Sequence, residues 1–311
     1  MISRRNIRVK VMQMLYALET VEDNTGKTDP VKSLKQKLDE SNELFTYLVH
    51  FITKVARYAE TDARLRASRN LVTAEDLNVN TKIAGNQLLW KILESPGFTS
   101  AVNHFSLAKL DDEDVVRKVY LELVQSDIYK TYIQKLSREK GEEKNVLQYI
   151  FSDLMLPDEV FTSFIEEQFT NWQDDAEMMQ QLVLGYLSKP TGFEVGTFIT
   201  TEKWQFAREL LTSVLNKREY VIDLIKPRLK NWDADRIAVL DMILLQMGVC
   251  ELLYFETIPP KVTINEYIDI AKEYSTQQSG HFINGILDAI HKDLLSENKI
   301  HKIAFKQNTN G

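Results

Sequence analysis

Apolar residues recur three or four positions apart along most of the chain, which is the spacing of one face of an α-helix. In residues 3–20, with Ser3 as N-cap, such a face about 100° wide consists of Ile7, Val11, Met14, Leu15 and Leu18. Helical spacing continues, with interruptions, from residue 31 to 187 and again in the C-terminal third. No segment alternates apolar and polar residues over a useful length, so strands are not expected. The pattern predicts an all-α protein.

Residues that end helices divide this pattern into blocks. Residues 23–30 contain Asn, Gly, Thr and Pro and are predicted to form a linker. Further breaks are predicted at Ser95-Pro96-Gly97, Leu156-Pro157 and Lys189-Pro190-Thr191-Gly192. Near the C-terminus, Pro259-Pro260 is predicted to stop one helix. Thr263 would then cap the next helix, with Glu266 as its partner in a capping box.

The pair Asn284-Gly285 is a signal for a two-residue hairpin turn, yet it lies inside an apolar run. The apolar positions keep a helical period through it: Phe282, Ile283, Ile286, Leu287, Ile290 and Leu294. The opposite face carries His281, Asn284, Asp288 and His291. We therefore predict a continuous helix. Gly285 costs that helix about 1 kcal/mol relative to alanine, so close packing or close approach of a ligand should compensate.

Charge is distributed unevenly along the chain. The net charge is −7, but residues 1–20 hold +3 and the remainder −10. The basic residues of this segment are Arg4, Arg5, Arg8 and Lys10. Arginines in the first turn of a helix oppose its dipole, which favours anions there. The segment therefore predicts a local contact with an anionic ligand.

The sequence lacks the usual signatures of catalysis and of membrane insertion. It has no P-loop, dinucleotide fingerprint, His-Glu-x-x-His motif or cluster of Cys and His ligands. The paired acids Asp111-Asp112 and Asp174-Asp175 lie beside helix starts, where capping explains them. Cys250, the single cysteine, is expected to be buried in a protein of a reducing compartment. No apolar run is long enough to span a membrane. We expect a cytoplasmic binding protein with no catalytic residues, metal or cofactor.

Ordered motifs occupy both ends of the chain. Those near the C-terminus are Asp235-Arg236-Ile237, Glu251-Leu252, Lys261-Val262-Thr263-Ile264-Asn265-Glu266, Ala271-Lys272, Ser279 and Phe282-Ile283-Asn284-Gly285-Ile286-Leu287-Asp288. The N-terminal motif comprises Arg4-Arg5, Arg8, Gln13, Leu15 and Tyr16. Together they closely resemble NusB, a family of transcription antitermination factors. The resemblance covers residues 1–20 and about 205–295, roughly a third of the chain.

This resemblance implies NusB-like helical bundles with an additional inserted helical region. The division it suggests is an arginine-rich first helix of the NusB-like core at residues 1–20, an inserted helical region at 21–200, a C-terminal helical bundle at 201–296 and a polar tail at 297–311. The role of the insertion stays open, because it could enlarge an RNA site, bind RNA polymerase or mediate formation of a homodimer.

The resemblance also implies a function. The family binds the boxA segment of ribosomal RNA leaders together with NusE, a small-subunit ribosomal protein, within an RNA polymerase antitermination complex. The positions that match its RNA face are Arg4, Arg5, Arg8, Lys272, Ser279, His281, Phe282 and Asn284. The positions that match its contact with NusE are Tyr16 and Asp241. Phe282 would either stack on a base or pack in the core.

The chain departs from the family pattern at several positions. Gln246 replaces a common arginine, Gly248-Val249-Cys250 replaces a usual Ala-x-Tyr, and His281 replaces a frequent lysine. The last change removes a positive charge from the RNA face at pH 7, because an unperturbed histidine is then mostly neutral. The alternative interpretation is a helical protein-interaction scaffold in transcription or ribosomal RNA maturation whose RNA face has weakened.

Overall fold

The computed structural model describes residues 2–20, 29–110, 112–189, 197–229 and 237–303. Every regular element in these ranges is helical, which confirms the all-α prediction. The α-helices are α1 (Arg4–Thr20), α2 (Pro30–Ala67), α3 (Ala74–Leu77), α4 (Gln87–Leu93), α5 (Pro96–His104), α6 (Glu113–Gln125), α7 (Asp127–Gln134), α8 (Lys140–Tyr149), α9 (Glu159–Gln168), α10 (Trp172–Ser188), α11 (Thr201–Asn216), α12 (Arg218–Ile225), α13 (Val239–Tyr254), α14 (Pro260–Tyr274) and α15 (Ser279–Ser296).

The chain divides into two compact units. One comprises residues 3–37 and 201–311 and is named the core unit here; the other comprises residues 1–2 and 38–200 and is named the insert unit. Most of the predicted linker at 23–30, the predicted break at 190–192 and the Asp235-Arg236 motif lie outside the described residues.

Helix α13 lies at the centre of the core unit. Its sequence is apolar on all sides, the pattern of a helix surrounded by others, and α1, α11, α12, α14 and α15 all pack against it. A Cβ atom at Gly248 would lie 2.8 Å from Leu287 Cδ1, so the missing side chain lets α13 and α15 approach closely. Packing against Leu287 therefore gives a physical reason for one of the departures from the family pattern.

Helix α1 is buried more completely than its sequence pattern predicts. The N-cap is as predicted, since the backbone N–H of Asn6 donates to Ser3 Oγ at 3.1 Å. Ile7, Val11, Met14 and Leu15 are buried as expected, but Leu18 is exposed. Val9, Met12 and the charged residues Arg8 and Lys10 are buried as well. The helix thus packs against α11 and α13; its middle is buried, its first turn is partly exposed and its last turn is exposed.

The prolines at 259 and 260 begin a helix and do not end one. Helix α13 already ends at Tyr254, and α14 starts at Pro260, where the missing N–H costs nothing. The capping role predicted for Thr263 is therefore wrong, because this residue lies inside the first turn. Its buried hydroxyl instead donates to Glu251 Oε1 at 2.8 Å.

The predicted continuous helix through Asn284-Gly285 is confirmed, since both residues lie within α15. The packing explanation for Gly285 is wrong, however. Gly285 is exposed, and a Cβ atom built there would meet no atom within 4 Å. Close approach of a ligand is the part of that expectation that stays a prediction.

The insert unit is a helical assembly with its own apolar core. The ring of Phe51 packs against Phe161 with centroids 4.9 Å apart, and the ring of Tyr47 packs against Phe169 at 5.2 Å. Both predicted breaks in the described part of this unit occur. Ser95 caps α5, which starts at Pro96, and a π-helix at Ile150–Met155 separates α8 from α9 before Pro157.

Candidate nucleic-acid interface

The first turn of α1 presents two partly exposed arginines. Arg4 Nη2 lies 2.6 Å from Glu202 Oε1, and Arg5 Nη2 lies 2.8 Å from Glu273 Oε2. Arg5 Nη1 also lies 3.7 Å from Asp269 Oδ2. Burial opposes the charge on Arg5, but the hydrogen bond and the charge of Glu273 outweigh it and raise the pKa of Arg5.

Lys272 connects this arginine pair to the start of α15. Its Nζ lies 3.8 Å from Asp269 Oδ1, so Lys272 and Arg5 share one carboxylate. A Cβ atom at Gly280 would lie 2.9 Å from Lys272 Cγ, which shows that the lysine stem crosses α15 at Gly280. His281 follows directly and is exposed.

The basic ridge is the name given to five residues: the partly exposed Arg4 and Arg5 and the exposed Lys272, His281 and Asn284. Asn284 lies one turn after Gly280 and is exposed, as is Gly285 beside it. The carboxylates of Glu202, Asp269 and Glu273 equal in number the cations Arg4, Arg5 and Lys272 with which they pair. Exposed ion pairs of this kind contribute only about 0–1 kcal/mol, so a phosphate can displace them at small cost.

Arg8 does not belong to this surface. Its side chain is 3% exposed, and it donates two hydrogen bonds of 2.8 Å to Glu251, whose side chain is 0% exposed. A third hydrogen bond of 3.2 Å reaches Glu266. The pKa of Arg8 is raised because the hydrogen bonds and charge of Glu251 outweigh the cost of burial. The guanidinium cannot contact a phosphate from this position, since Glu251 and Glu266 surround it and the side chain is almost fully buried.

Three further residues of the expected RNA and partner faces are also buried. Ser279 Oγ donates to Asp241 Oδ2 at 2.8 Å, so these two residues join α15 to α13. Asp241 Oδ1 has no hydrogen-bond partner among the described residues. Phe282 is 5% exposed and lies in the core, which favours packing over base stacking. Ser279, Asp241 and Phe282 therefore belong to the interior of the core unit and not to its surface.

Two further side chains near α1 are the exposed Tyr16 and the half-buried Lys203. Tyr16, expected at the partner contact, is 45% exposed. Lys203 was not expected, because only the packing of α11 against α1 brings it near Arg4. Burial lowers the pKa of Lys203, and the charge of Arg4 lowers it further. Sequence periodicity carries no signal for this neighbour.

Metal centres and membrane-spanning helices are both absent from the described residues. Among those residues, no group of three or more His, Cys, Asp and Glu side chains is placed to hold a metal ion. None of the described helices combines the length and the apolar character that crossing a membrane requires. Cys250 is buried, and burial raises the pKa of its thiol to about 12.

Comparison with known proteins identifies the C-terminal region. Residues 171–292 match the model of the NusB family. These residues are a NusB-family region. The transcription antitermination protein NusB of Salinibacter ruber is 44% identical over 97 residues, which are 31% of this chain and 61% of that protein. The NusB protein of Finegoldia magna is 43% identical over 88 residues, 28% of this chain and 64% of that protein.

The match leaves much of the chain unaccounted for. The chain spans between 46% and 64% of the length of these curated NusB relatives. A solved structure of NusB from T. maritima aligns with 42% of this chain and 85% of its own, at 32% identity and a TM-score of 0.29. Helix α1 lies outside the family match, yet it packs against α11 and α13, which lie inside it.

Proposed function

We propose that this protein is a transcription antitermination factor that binds boxA-type RNA of ribosomal leaders together with NusE. It would act in the cytoplasm within an RNA polymerase antitermination complex, by binding and not by catalysis. The observation that carries the proposal is the basic ridge, which joins α1, α14 and α15 in a unit that includes most of the NusB-family region.

The chemistry of the ridge suits a single-stranded RNA. Arg4, Arg5 and Lys272 supply cations for the phosphate backbone, which positions the RNA without reading its sequence. Asn284 offers an amide that donates and accepts hydrogen bonds at a base edge. Gly285 leaves the backbone of α15 bare beside it, so a base or a ribose can approach closely.

The proposal is tested by RNA binding across a salt series. The wild-type protein and an Arg4→Ala/Arg5→Ala variant would be titrated with boxA-containing leader RNA and a scrambled RNA, with and without NusE. We expect boxA to be preferred, NusE to strengthen binding, and the variant to reduce the salt slope by about 0.7 for each lost phosphate contact.

Lys109→Ala/Lys130→Ala is the matched control, because it removes the same charge from exposed positions of the insert unit. Equal binding of boxA and scrambled RNA, or the same slope for wild type and the Arg4→Ala/Arg5→Ala variant, would contradict the proposal. Unchanged binding in an Asn284→Ala variant would remove the proposed base contact alone.

A protein-interaction scaffold with a weakened RNA face is the second candidate. The ion pairs on the ridge favour the scaffold. Glu202, Asp269 and Glu273 already pair with the arginines that would have to bind RNA phosphates. It predicts that the protein binds NusE through the surface around Tyr16 with no gain from boxA RNA. A Tyr16→Ala variant that retains full NusE binding would argue against that surface.

A further inference from the structure

The insert unit contains a cleft lined by four lysines from three separate parts of the chain. Its volume is about 330 Å³, and its lining includes Lys91, Lys140, Lys144 and Lys189. Helix α8 contacts both α4 and α10 and so brings these positions together. Gln148 Nε2 on α8 donates to Leu184 O at 3.3 Å and to Ser188 Oγ at 3.1 Å, which attaches α8 to the end of α10.

The carboxylate of Glu143 lines the cleft but is hydrogen-bonded and ion-paired to residues other than the four lysines. Glu143 is buried and accepts hydrogen bonds from the backbone N–H of Gln87 and from the hydroxyl of Tyr132 at 2.7 Å. Arg138 Nη1 lies 3.3 Å from Glu143 Oε1 and pairs with its charge. Glu143 therefore builds the wall of the cleft and is not free to neutralise the four lysines.

The four lysines of the cleft lie in a unit that carries a net negative charge. Acidic residues outnumber basic ones in residues 38–200, and several cations of the unit form ion pairs, among them Arg57 with Glu60, Arg66 with Asp62 and Arg69 with Asp76. No ion pair is seen for the four cleft lysines within the described residues. Four like charges around one concavity repel each other, so an anion bound there would stabilise the arrangement.

The backbone at the cleft favours the same kind of ligand. Lys140 and Gly141 begin the first turn of α8, where the helix dipole attracts anions. The same turn carries Glu142, which pairs with Lys135, and Glu143, which pairs with Arg138. Gly141 lines the cleft, and a Cβ atom built on it would meet nothing within 4 Å. An anion can therefore reach the N-terminal turn of α8 without displacing any protein atom.

We propose that this cleft binds phosphate groups. The volume accommodates a nucleoside polyphosphate or a few linked phosphates of an RNA backbone, and lysine binds phosphate as a point charge without demanding one geometry. The site is independent of the basic ridge, because all its residues belong to the insert unit. Lys91, Lys140 and Lys144 lie outside the residues that match the NusB family, and Lys189 lies inside them.

The test uses the full chain and three probes: inorganic pyrophosphate, a nucleoside triphosphate and a short single-stranded RNA of arbitrary sequence. The RNA is titrated into the Arg4→Ala/Arg5→Ala background, so that the ridge does not mask the cleft. Lys140→Ala/Lys144→Ala should weaken binding by roughly tenfold and reduce the salt slope for RNA by about 1.4. The matched control is Lys109→Ala/Lys130→Ala, which should bind like its parent.

A second pair of variants tests the site without changing charge. Gly141→Ala should keep α8 folded, since alanine favours a helix, but should weaken phosphate binding severalfold by covering the first turn. Gly185→Ala, also exposed and helical but outside the cleft, should have no effect. Binding of the RNA alone would identify a backbone site, and binding of the small probes would identify a polyphosphate site. No binding of any probe at millimolar concentration, or equal losses in the variants and their controls, would overturn the proposal.

Discussion

The buried pair between Arg8 and Glu251 leads to the sharpest prediction about the core unit. Replacing Arg8 with alanine removes two hydrogen bonds of 2.8 Å and leaves a fully buried carboxylate. Thr263 and Tyr267 still donate to Glu251, at 2.8 and 3.2 Å, but neither carries a positive charge. Breaking a buried pair in this way costs about 3–5 kcal/mol. We therefore expect the core unit to lose much of its stability.

The same substitution should not change how RNA affinity depends on salt. Arg8 is 3% exposed and cannot contact phosphate, whereas the exposed pair of Arg5 contributes little to stability. Arg8→Ala and Arg5→Ala should therefore have opposite effects. The first lowers the free energy of unfolding and keeps the salt slope, and the second changes the slope by about 0.7 with at most about 1 kcal/mol of destabilisation.

Cys250 supplies an assay that reports on the core unit alone. It is the single cysteine of the chain and is buried in α13, and its thiol has a pKa raised to about 12 by burial. A thiol reagent applied briefly across a urea series labels Cys250 only where the core unit is open. We expect the midpoint of labelling to fall sharply for Arg8→Ala and to stay close to wild type for Arg5→Ala.

An Arg8→Met/Glu251→Leu variant separates the charge from the packing. Replacing both partners by apolar groups avoids an unpaired buried charge, so this variant should be more stable than Arg8→Ala. The recovery should be incomplete, because Thr263 and Tyr267 each lose an acceptor, at about 0.5–1.5 kcal/mol apiece. Wild-type labelling of Arg8→Ala, or a salt slope that changes as it does in Arg5→Ala, would refute the assignment of Arg8 to the interior.

Three further predictions concern α13 and α15. Phe282→Ala should destabilise the core unit by about 3–5 kcal/mol in the Cys250 assay, and a loss of RNA affinity with unchanged stability would instead indicate base stacking. Gly248→Ala should lower the free energy of unfolding by about 1–3 kcal/mol, because the added Cβ is forced against Leu287. Gly285→Ala should instead stabilise α15 by about 1 kcal/mol and weaken boxA binding. Equal stability changes at the two glycines would contradict the close packing of Gly248 against Leu287. Burial lowers the pKa of His291 below its ordinary value of 6.5. The folded state therefore disfavours the protonated imidazole, and the free energy of unfolding falls as the pH drops below about 6.5. In urea titrations between about pH 7.5 and 5.5, His291→Gln should reduce this fall.

Local patterns were sufficient to predict the helices but not their environment. The period of apolar residues predicted α15 through Asn284-Gly285, because a helix needs only neighbouring positions to specify it. The stop predicted at Pro259-Pro260 was wrong, since a proline suits the first turn of a helix as well as the end of another. The distinction depends on where α13 ends, which the continuous apolar sequence does not mark.

The burial of candidate site residues could not be predicted from the sequence. Arg8 lies in a basic segment and looks like its neighbours, but its partner Glu251 is 243 positions away. Ser279 and Asp241 likewise lie 38 positions apart and meet only when α15 packs on α13. Polar residues whose partners are distant in sequence resemble exposed functional residues, and only tertiary packing separates the two classes.

Arg5 and Arg8 of α1 form a row of ion pairs with Glu266, Asp269 and Glu273 of α14, named the ladder. One end of the ladder is buried and the other is partly exposed. Arg8 pairs with Glu266, and Arg5 pairs with Asp269 and Glu273, so the helices meet in antiparallel register. At the buried end, Arg8 pairs with Glu251 as well as with Glu266, and we propose that this pair sets the register of the two helices. The exposed end, at Arg5, is where the proposed exchange of carboxylates for RNA phosphates would occur. Every residue of the ladder belongs to the core unit.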